Sequence, residues 1–182
     1  MSEVVGSGGE FERRRTARLL LRRPGGGDLD WMTALHADPG NYTHAPDRAH
    51  SERQARALSR ALLDAWETDR VGYWIVEALH PVPPVPAGPL GMAGVRPSSL
   101  AGRRCFNLYF RFVTAARGHG FAAEACHEAL GVAAEAAPRW PVVVRTREAN
   151  TPARRLAQAL GLTRGADLDA LTAGYVVYVS DW

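Results

Sequence analysis

Arg117-Gly118-His119-Gly120-Phe121-Ala122 lies between an aromatic-rich run that ends at Val113 and an alanine-rich run that starts at Phe121. Its two glycines let the backbone turn sharply and aim successive N–H groups one way. A helix starting directly behind them adds the partial positive charge of its N-terminus. Arg117 brings a permanent charge and a fork of donors to the loop's edge. Such a loop fits an anion, and it also fits an ordinary strand-to-helix turn. A dinucleotide fingerprint needs three spaced glycines and an acidic residue after the next strand, and a Walker loop needs Gly-Lys-Ser or Gly-Lys-Thr. Neither occurs, and the chain contains no lysine.

Working outward, Ala122, Cys126, Ala129, Ala133 and Ala136 recur at helical spacing through Ala137, and Pro138 ends the run. Upstream, Arg104 to Val113 and Leu90 to Val95 read as strands joined by a turn at Pro97 to Gly102, and Gly72 to Glu77 as another. The proline-rich stretch Pro81 to Pro89 reads as a stiff connector. Ser51 and Gln54 form a capping box ahead of Leu58, Leu62 and Trp66, so a helix runs to Asp69. Before it come a loop, Pro39 to Arg48, and a helix capped by Asp28 or Asp30 that carries Trp31 and Leu35. Thr16 to Arg22 is the first strand, closed by Pro24 and glycines. Downstream, Val142 to Thr146 suits a buried strand, Thr151-Pro152 starts a helix that ends at Leu160-Gly161, and Tyr175 to Val179 is the last strand. The order predicts one α+β domain over residues 15–182 behind a flexible tail, residues 1–14.

Composition narrows the class. With 182 residues, 46% hydrophobic and 23% charged, the chain can bury an ordinary core. Residues 1–10 lack the positive start and apolar run of a secretory signal, and no apolar run approaches the roughly 18 to 20 residues of a membrane span. A cytoplasmic protein without a membrane partner is the expectation. Cys105 and Cys126 lack the spacing of a redox or zinc motif, so no metal is expected. The short arginine clusters near element ends lack the interleaved aromatics of a nucleic-acid surface, and an anionic small ligand suits them better.

In this setting the loop resembles that of the GNAT N-acetyltransferases, whose pattern is Arg or Gln, two residues, Gly, one residue, Gly or Ala; Arg117, Gly120 and Ala122 fit it. Thr16-Ala-Arg-Leu-Leu-Leu-Arg, Ala123-Glu124-Ala125, Asn150 and Leu160-Gly161-Leu162 fall at the family's spacing, so the resemblance covers residue 16 to the end. It is greatest to the branch holding the ribosomal-protein alanine N-acetyltransferases.

The resemblance implies a mixed, mostly antiparallel sheet flanked by helices and splayed between its fourth and fifth strands. It implies acetyl-CoA as co-substrate and direct attack of a primary amine, from a peptide N-terminus or a small molecule, on the thioester. The backbone of Phe112 and Val113 would hold the pantetheine arm, and N–H groups from Arg117, Gly118, His119, Gly120, Phe121 and Ala122 the pyrophosphate. Asn150 would contact the arm, or act as a plain cap, and Arg154 or Arg155 would reach the nucleotide end. The amide of Phe112 would stabilise the oxyanion. The chain departs from the family at the catalytic acid, because the positions that carry Tyr or Ser in relatives are Ala157 and Ala153. The base is equally open among Glu77, His80, His119 and Glu124, with positioning alone as a further route. The missing acid motivates an alternative, a CoA-binding sensor or partner module. A homodimer is left open.

Overall fold

The computed structural model describes residues 9–81, 83, 85 and 88–182. Thirteen elements follow one another along the chain: β1 (Arg13–Arg15), β2 (Leu19–Arg22), α1 (Leu29–Ala37), α2 (Glu52–Asp69), β3 (Tyr73–Ala78), β4 (Pro89–Leu100), β5 (Arg103–Phe112), α3 (Phe121–Ala136), β6 (Val142–Thr146), α4 (Thr151–Ala159), β7 (Thr163–Arg164), α5 (Ala166–Asp169) and β8 (Val176–Val179). The strands form one sheet in the order β1-β2-β3-β4-β5-β6-β8-β7. Every neighbouring pair is antiparallel except β5 and β6. This is the mixed α+β architecture with helices on the sheet that the resemblance implied.

Alternation along the strands divides the core. Trp74, Val76, Ala93, Val95, Phe106 and Leu108 face α3, and the small Ala125, Ala129 and Ala133 let that helix lie close. Tyr73, Ile75, Met92 and Tyr109 leave the opposite face and pack on Met32 and Leu35 of α1 and Leu62 of α2. Cys126 is a free thiol buried in the α3 layer, and Cys105 is a free thiol buried in a separate cluster with Val143 and Val177. Within the described residues no helix is long and apolar enough to cross a membrane.

Three boundaries differ from the sequence reading. Of the segment assigned to a tail, residues 1–8 lie outside the described residues, but Arg13–Arg15 pairs with β2 and Phe11 is buried. The Phe11 carbonyl accepts the Trp74 indole N–H at 2.7 Å, which pins the strand down. The turn between β4 and β5 is not Pro97 to Gly102 but two residues, Ala101 (φ 50°) and Gly102 (φ 75°), with pairing up to Leu100↔Arg103. Pro97 is accommodated because its partner Phe106 directs its N–H to Pro141 on the other side, so that pair exchanges no bond. The absent N–H of Pro97 then falls beyond the last β3–β4 pair, Tyr73↔Gly94, where nothing requires it. Finally, the first strand is shorter than Thr16 to Arg22. Residues 16–19 form a turn in which the Thr16 and Leu19 N–H groups bond back on Leu19 and Thr16.

β5 and β6 pair only at Phe106↔Val142 and Asn107↔Val143, although β5 continues to Phe112 and β6 to Thr146. Beyond those pairs the strands part, and the sheet opens toward the N-terminus of α3.

Candidate active site

The opening is a cleft of about 1270 Å³ that runs from Gly118, Gly120 and the first turn of α3 along Leu108 to Phe112 and Val144 to Arg147, and ends against residues 40–50. One end is built by the loop Arg117 to Ala122. Gly118 (φ 82°) and Gly120 (φ 78°) are both left-handed, which L residues with a side chain rarely adopt. The first turn of α3 has no side-chain cap, so its N–H groups are free to face an anion. Glu124 fixes this end in place: its carboxylate accepts from the Thr16 hydroxyl at 2.5 Å, from Arg18 N at 2.9 Å and from Arg18 Nε at 2.6 Å. Arg18 also donates to His119 O at 3.0 Å and lies over the Phe121 ring. Burial alone would raise the Glu124 carboxyl, but the Thr16 and Arg18 donors outweigh it and hold the group below its usual range.

The strand wall follows from ladder geometry. Val113 donates its N–H to Leu90 O at 2.9 Å and accepts from Ala116 N, so its backbone belongs to the sheet and the following 3-10 turn. By alternation the Phe112 N–H points the other way, into the opening beyond the last β5–β6 pair.

The opposite wall is the connection between α1 and α2, with 3-10 turns at Pro39–Asn41 and Pro46–Arg48. It presents His44 and His50, and the buried His36 lies behind it. His36 donates through Nδ1 to Met32 O at 2.7 Å, leaving Nε2 to accept from the Tyr109 hydroxyl at 3.0 Å. Burial pushes this imidazole down to about 4 and pushes the Tyr109 phenol up. Tyr109 stacks on Tyr73 at 4.7 Å. Arg111 donates to the Tyr42 hydroxyl at 2.6 Å, and that hydroxyl donates to His36 O at 2.8 Å. Burial lowers both His44 and His50, helped by Arg111 for each and by Arg117 and Arg147 for His44. Both rings are therefore neutral at pH 7.

Of the residues singled out in the sequence, Phe112, Arg117, Gly118, Gly120, Phe121, Ala122 and Asn150 line the cleft. Val113, His119 and Arg155 are not among its lining residues. The Arg117 guanidinium turns toward the other wall, donating to Gly40 O at 3.0 Å and Asn41 Oδ1 at 2.6 Å. Asn150 caps α4, its Oδ1 accepting from Ala153 N at 3.3 Å, and its Nδ2 donates to His44 Nε2 at 3.4 Å. Arg154 is tied to Tyr178 and Glu148. Ala153 and Ala157 are buried against the core. None of the four candidate bases lines the cleft: Glu77 pairs with Arg22, Glu124 with Arg18, His119 stacks on Phe121, and His80 sits past the end of β3. His44 and His50, which line the cleft together with the buried His36, are not among the bases expected from the sequence. Their one signal was density, since half of the chain's six histidines fall between residues 36 and 50.

A family model described as an acetyltransferase (GNAT) domain matches residues 18–163. No curated protein matches the chain in sequence. Solved structures match it in fold. An acetyltransferase from Agrobacterium tumefaciens str. C58 is 18% identical with a TM-score of 0.77, over 93% of this chain and 94% of that one. RimL, a ribosomal L7/L12 alpha-N-protein acetyltransferase solved with coenzyme A, is 11% identical with a TM-score of 0.65, over 90% and 94%. The microcin C7 self-immunity acetyltransferase MccE, solved with acetyl-CoA and AMP, is 8% identical with a TM-score of 0.63, over 91% and 93%. At such identities the structures speak for the fold alone, and the family model, which spans well over half of the sequence, goes further. The chain belongs to the GNAT acetyltransferases, a family that carries out acetyl-CoA-dependent acetyl transfer.

Proposed function

We propose that this chain is an N-acetyltransferase that holds acetyl-CoA in the splayed cleft and acetylates a primary amine entering over residues 39–50. The observation that carries this reading is the continuity of the cleft, from the uncapped first turn of α3, along the strand edge at Phe112, to two neutral imidazoles. RimL and MccE were solved with coenzyme A and acetyl-CoA, which supports the same ligand here.

In this reading the N–H groups from Gly118 to Ala122 hold the pyrophosphate, and the pantetheine arm lies beside β5. Asn150 contacts that arm through its side-chain amide, and Arg155 meets the nucleotide end from the exposed face of α4. The amine nitrogen attacks the thioester carbonyl carbon, the Phe112 N–H stabilises the oxyanion, and the C–S bond breaks to release the thiol. His44 or His50 takes the proton that the amine gives up. The surrounding arginines hold the bound amine in its neutral, nucleophilic form, as nearby positive charge does for any ammonium. The thiolate that leaves is protonated from the amine by way of the imidazole or from water, so no side chain is needed at 153 or 157.

Calorimetry with acetyl-CoA and thiol release across an amine panel test the reading. Micromolar binding with turnover supports it. Tight binding without any turnover favours the CoA-binding module that the alanines at 153 and 157 raise. No binding at all sinks both.

A further inference from the structure

Away from the cleft, several arginines meet carboxylates, Arg22 with Asp28 and Glu77, Arg23 with Glu12, Arg96 with Asp69, Arg164 with Glu148 and Asp169, while Arg103 and Arg104 lie over the Trp182 and Trp140 rings. Inside it, Arg111, Arg117, Arg145 and Arg147 have no carboxylate within ion-pair distance among the described residues. One carboxylate lines the cleft, Asp47, and it is exposed and paired with Arg48.

Arg111 is the most telling of the four. It is half-buried, its ends touch only phenol oxygen and ring faces, with the Tyr42 ring centroid at 4.6 Å and Tyr109 at 6.0 Å, and a partly desolvated guanidinium without an anion is unfavourable. The phosphates of the proposed co-substrate do not supply that anion. Arg111 leaves β5 on the face shared with Tyr109 and α1, opposite the face of Phe112 that packs toward α3. Arg147, at the end of β6, approaches from the other side, held by Gly174 O at 2.7 Å and by the Tyr175 ring at 4.1 Å. Both line the cleft together with His44 and Tyr42, and Arg111 is bonded to Tyr42 on the wall formed by residues 40–50. Close by, the Nδ1 of His50 is buried without a partner.

We propose that the acceptor is a primary amine bearing an acidic group, carboxylate or phosphate, which Arg111 and Arg147 bind while the amine faces the thioester. This rests on the acetyltransferase reading above. It excludes polyamines and simple alkylamines as good substrates, because they would add positive charge to a cationic pocket.

The test uses the full chain and matched pairs of amines, β-alanine against β-alaninamide and phosphoethanolamine against ethanolamine. Thiol release at saturating acetyl-CoA gives kcat/KM, and titration into CoA-saturated protein gives affinity. The acidic member of at least one pair is expected to be favoured tenfold or more, and the pair that shows it separates carboxylate from phosphate. Arg111→Gln, and independently the less enclosed Arg147→Gln, should bring the ratio within about threefold while acetyl-CoA still binds. Equal or better use of both neutral partners overturns the proposal, as does an Arg111→Gln protein that loses acetyl-CoA affinity as steeply as acceptor preference. If no amine turns over, the acetyltransferase reading fails by itself, and the acidic preference is still decided by the titrations into CoA-saturated protein.

Discussion

The wall that begins in β5 and ends in α3 is a continuous piece of regular structure, fixed at its turn by Glu124 and Arg18, whereas the wall facing it, residues 38–50, consists of 3-10 turns and irregular chain that carry its histidines. The first wall works through backbone: positive-φ glycines, an uncapped helix end and a strand amide. The second works through side chains, with His44, His50 and Tyr42 set around Arg111. Backbone features tolerate changes of sequence around them, so a family can share one wall and vary the other. Under the proposed function, that division puts co-substrate recognition on the rigid side and acceptor choice on the irregular side.

The division can be broken most sharply at Gly120. A valine there must adopt φ 78° and set a Cβ 3.4 Å from the Arg18 guanidinium, with its methyls in the phosphate space. Acetyl-CoA affinity should fall on the order of a thousandfold, the loss of two or more charge-assisted hydrogen bonds, with the fold retained by circular dichroism. Normal binding by calorimetry would contradict the placement of the cofactor.

On the other wall, His44→Ala and His50→Ala separate the two imidazoles. The one that accepts the proton should lower kcat by about a hundredfold to a thousandfold, with acetyl-CoA affinity unchanged. Because burial and the neighbouring Arg111, joined by Arg117 and Arg147 at His44, lower both rings, the neutral form persists below pH 6.5. The acid limb of the kcat/KM profile should therefore lie below the ordinary imidazole value and vanish in the responsible variant. A limb at or above 6.5 would exclude either ring as the base.

Glu124→Ala probes how the rigid wall is fixed. Losing an acceptor for three donors should cost about 2 kcal/mol in urea unfolding. The carboxyl is lowered in the folded state, so its contribution is fully present above the unfolded value near 4.3 and is lost as pH falls through the lower folded value. The wild type should thus lose stability relative to the variant only in acid. A smaller effect is expected from Gly118→Ala, where no atom lies within 4 Å of the new Cβ and only the φ of 82° opposes it. About 1 to 2 kcal/mol of backbone strain should weaken acetyl-CoA binding tenfold or so, which titration would read.

The same division governed what could be read in advance. The strand, glycine loop and alanine helix announce themselves locally, and so does the Ser51 capping box, with Gln54 Oε1 accepting the Ser51 N–H at 2.9 Å. β1 was hidden because Arg13–Arg15 shows no alternation and its apolar anchor, Phe11, precedes it. Pro97 was read as a turn because its position opposite a non-bonded partner depends on register, which no short window contains. His44 and His50 acquire meaning only from Arg111, about sixty residues away along the chain and across the cleft. Glu124 was a candidate base, and its partner Arg18 lies about a hundred residues away in the sequence, beyond the reach of any local pattern.

Arg117 joins the walls, since its Nη2 donates to Gly40 O and Asn41 Oδ1 while its remaining N–H groups are available to the phosphate loop beside it. With acetyl-CoA seated as proposed, its pyrophosphate would draw on those N–H groups and stiffen the approach to the acceptor side, and the expected consequence is kinetic order. Acetyl-CoA should bind first and the amine second, with CoA competing against acetyl-CoA but not against the amine in product inhibition. Arg117→Ala should relax that sequence toward random addition.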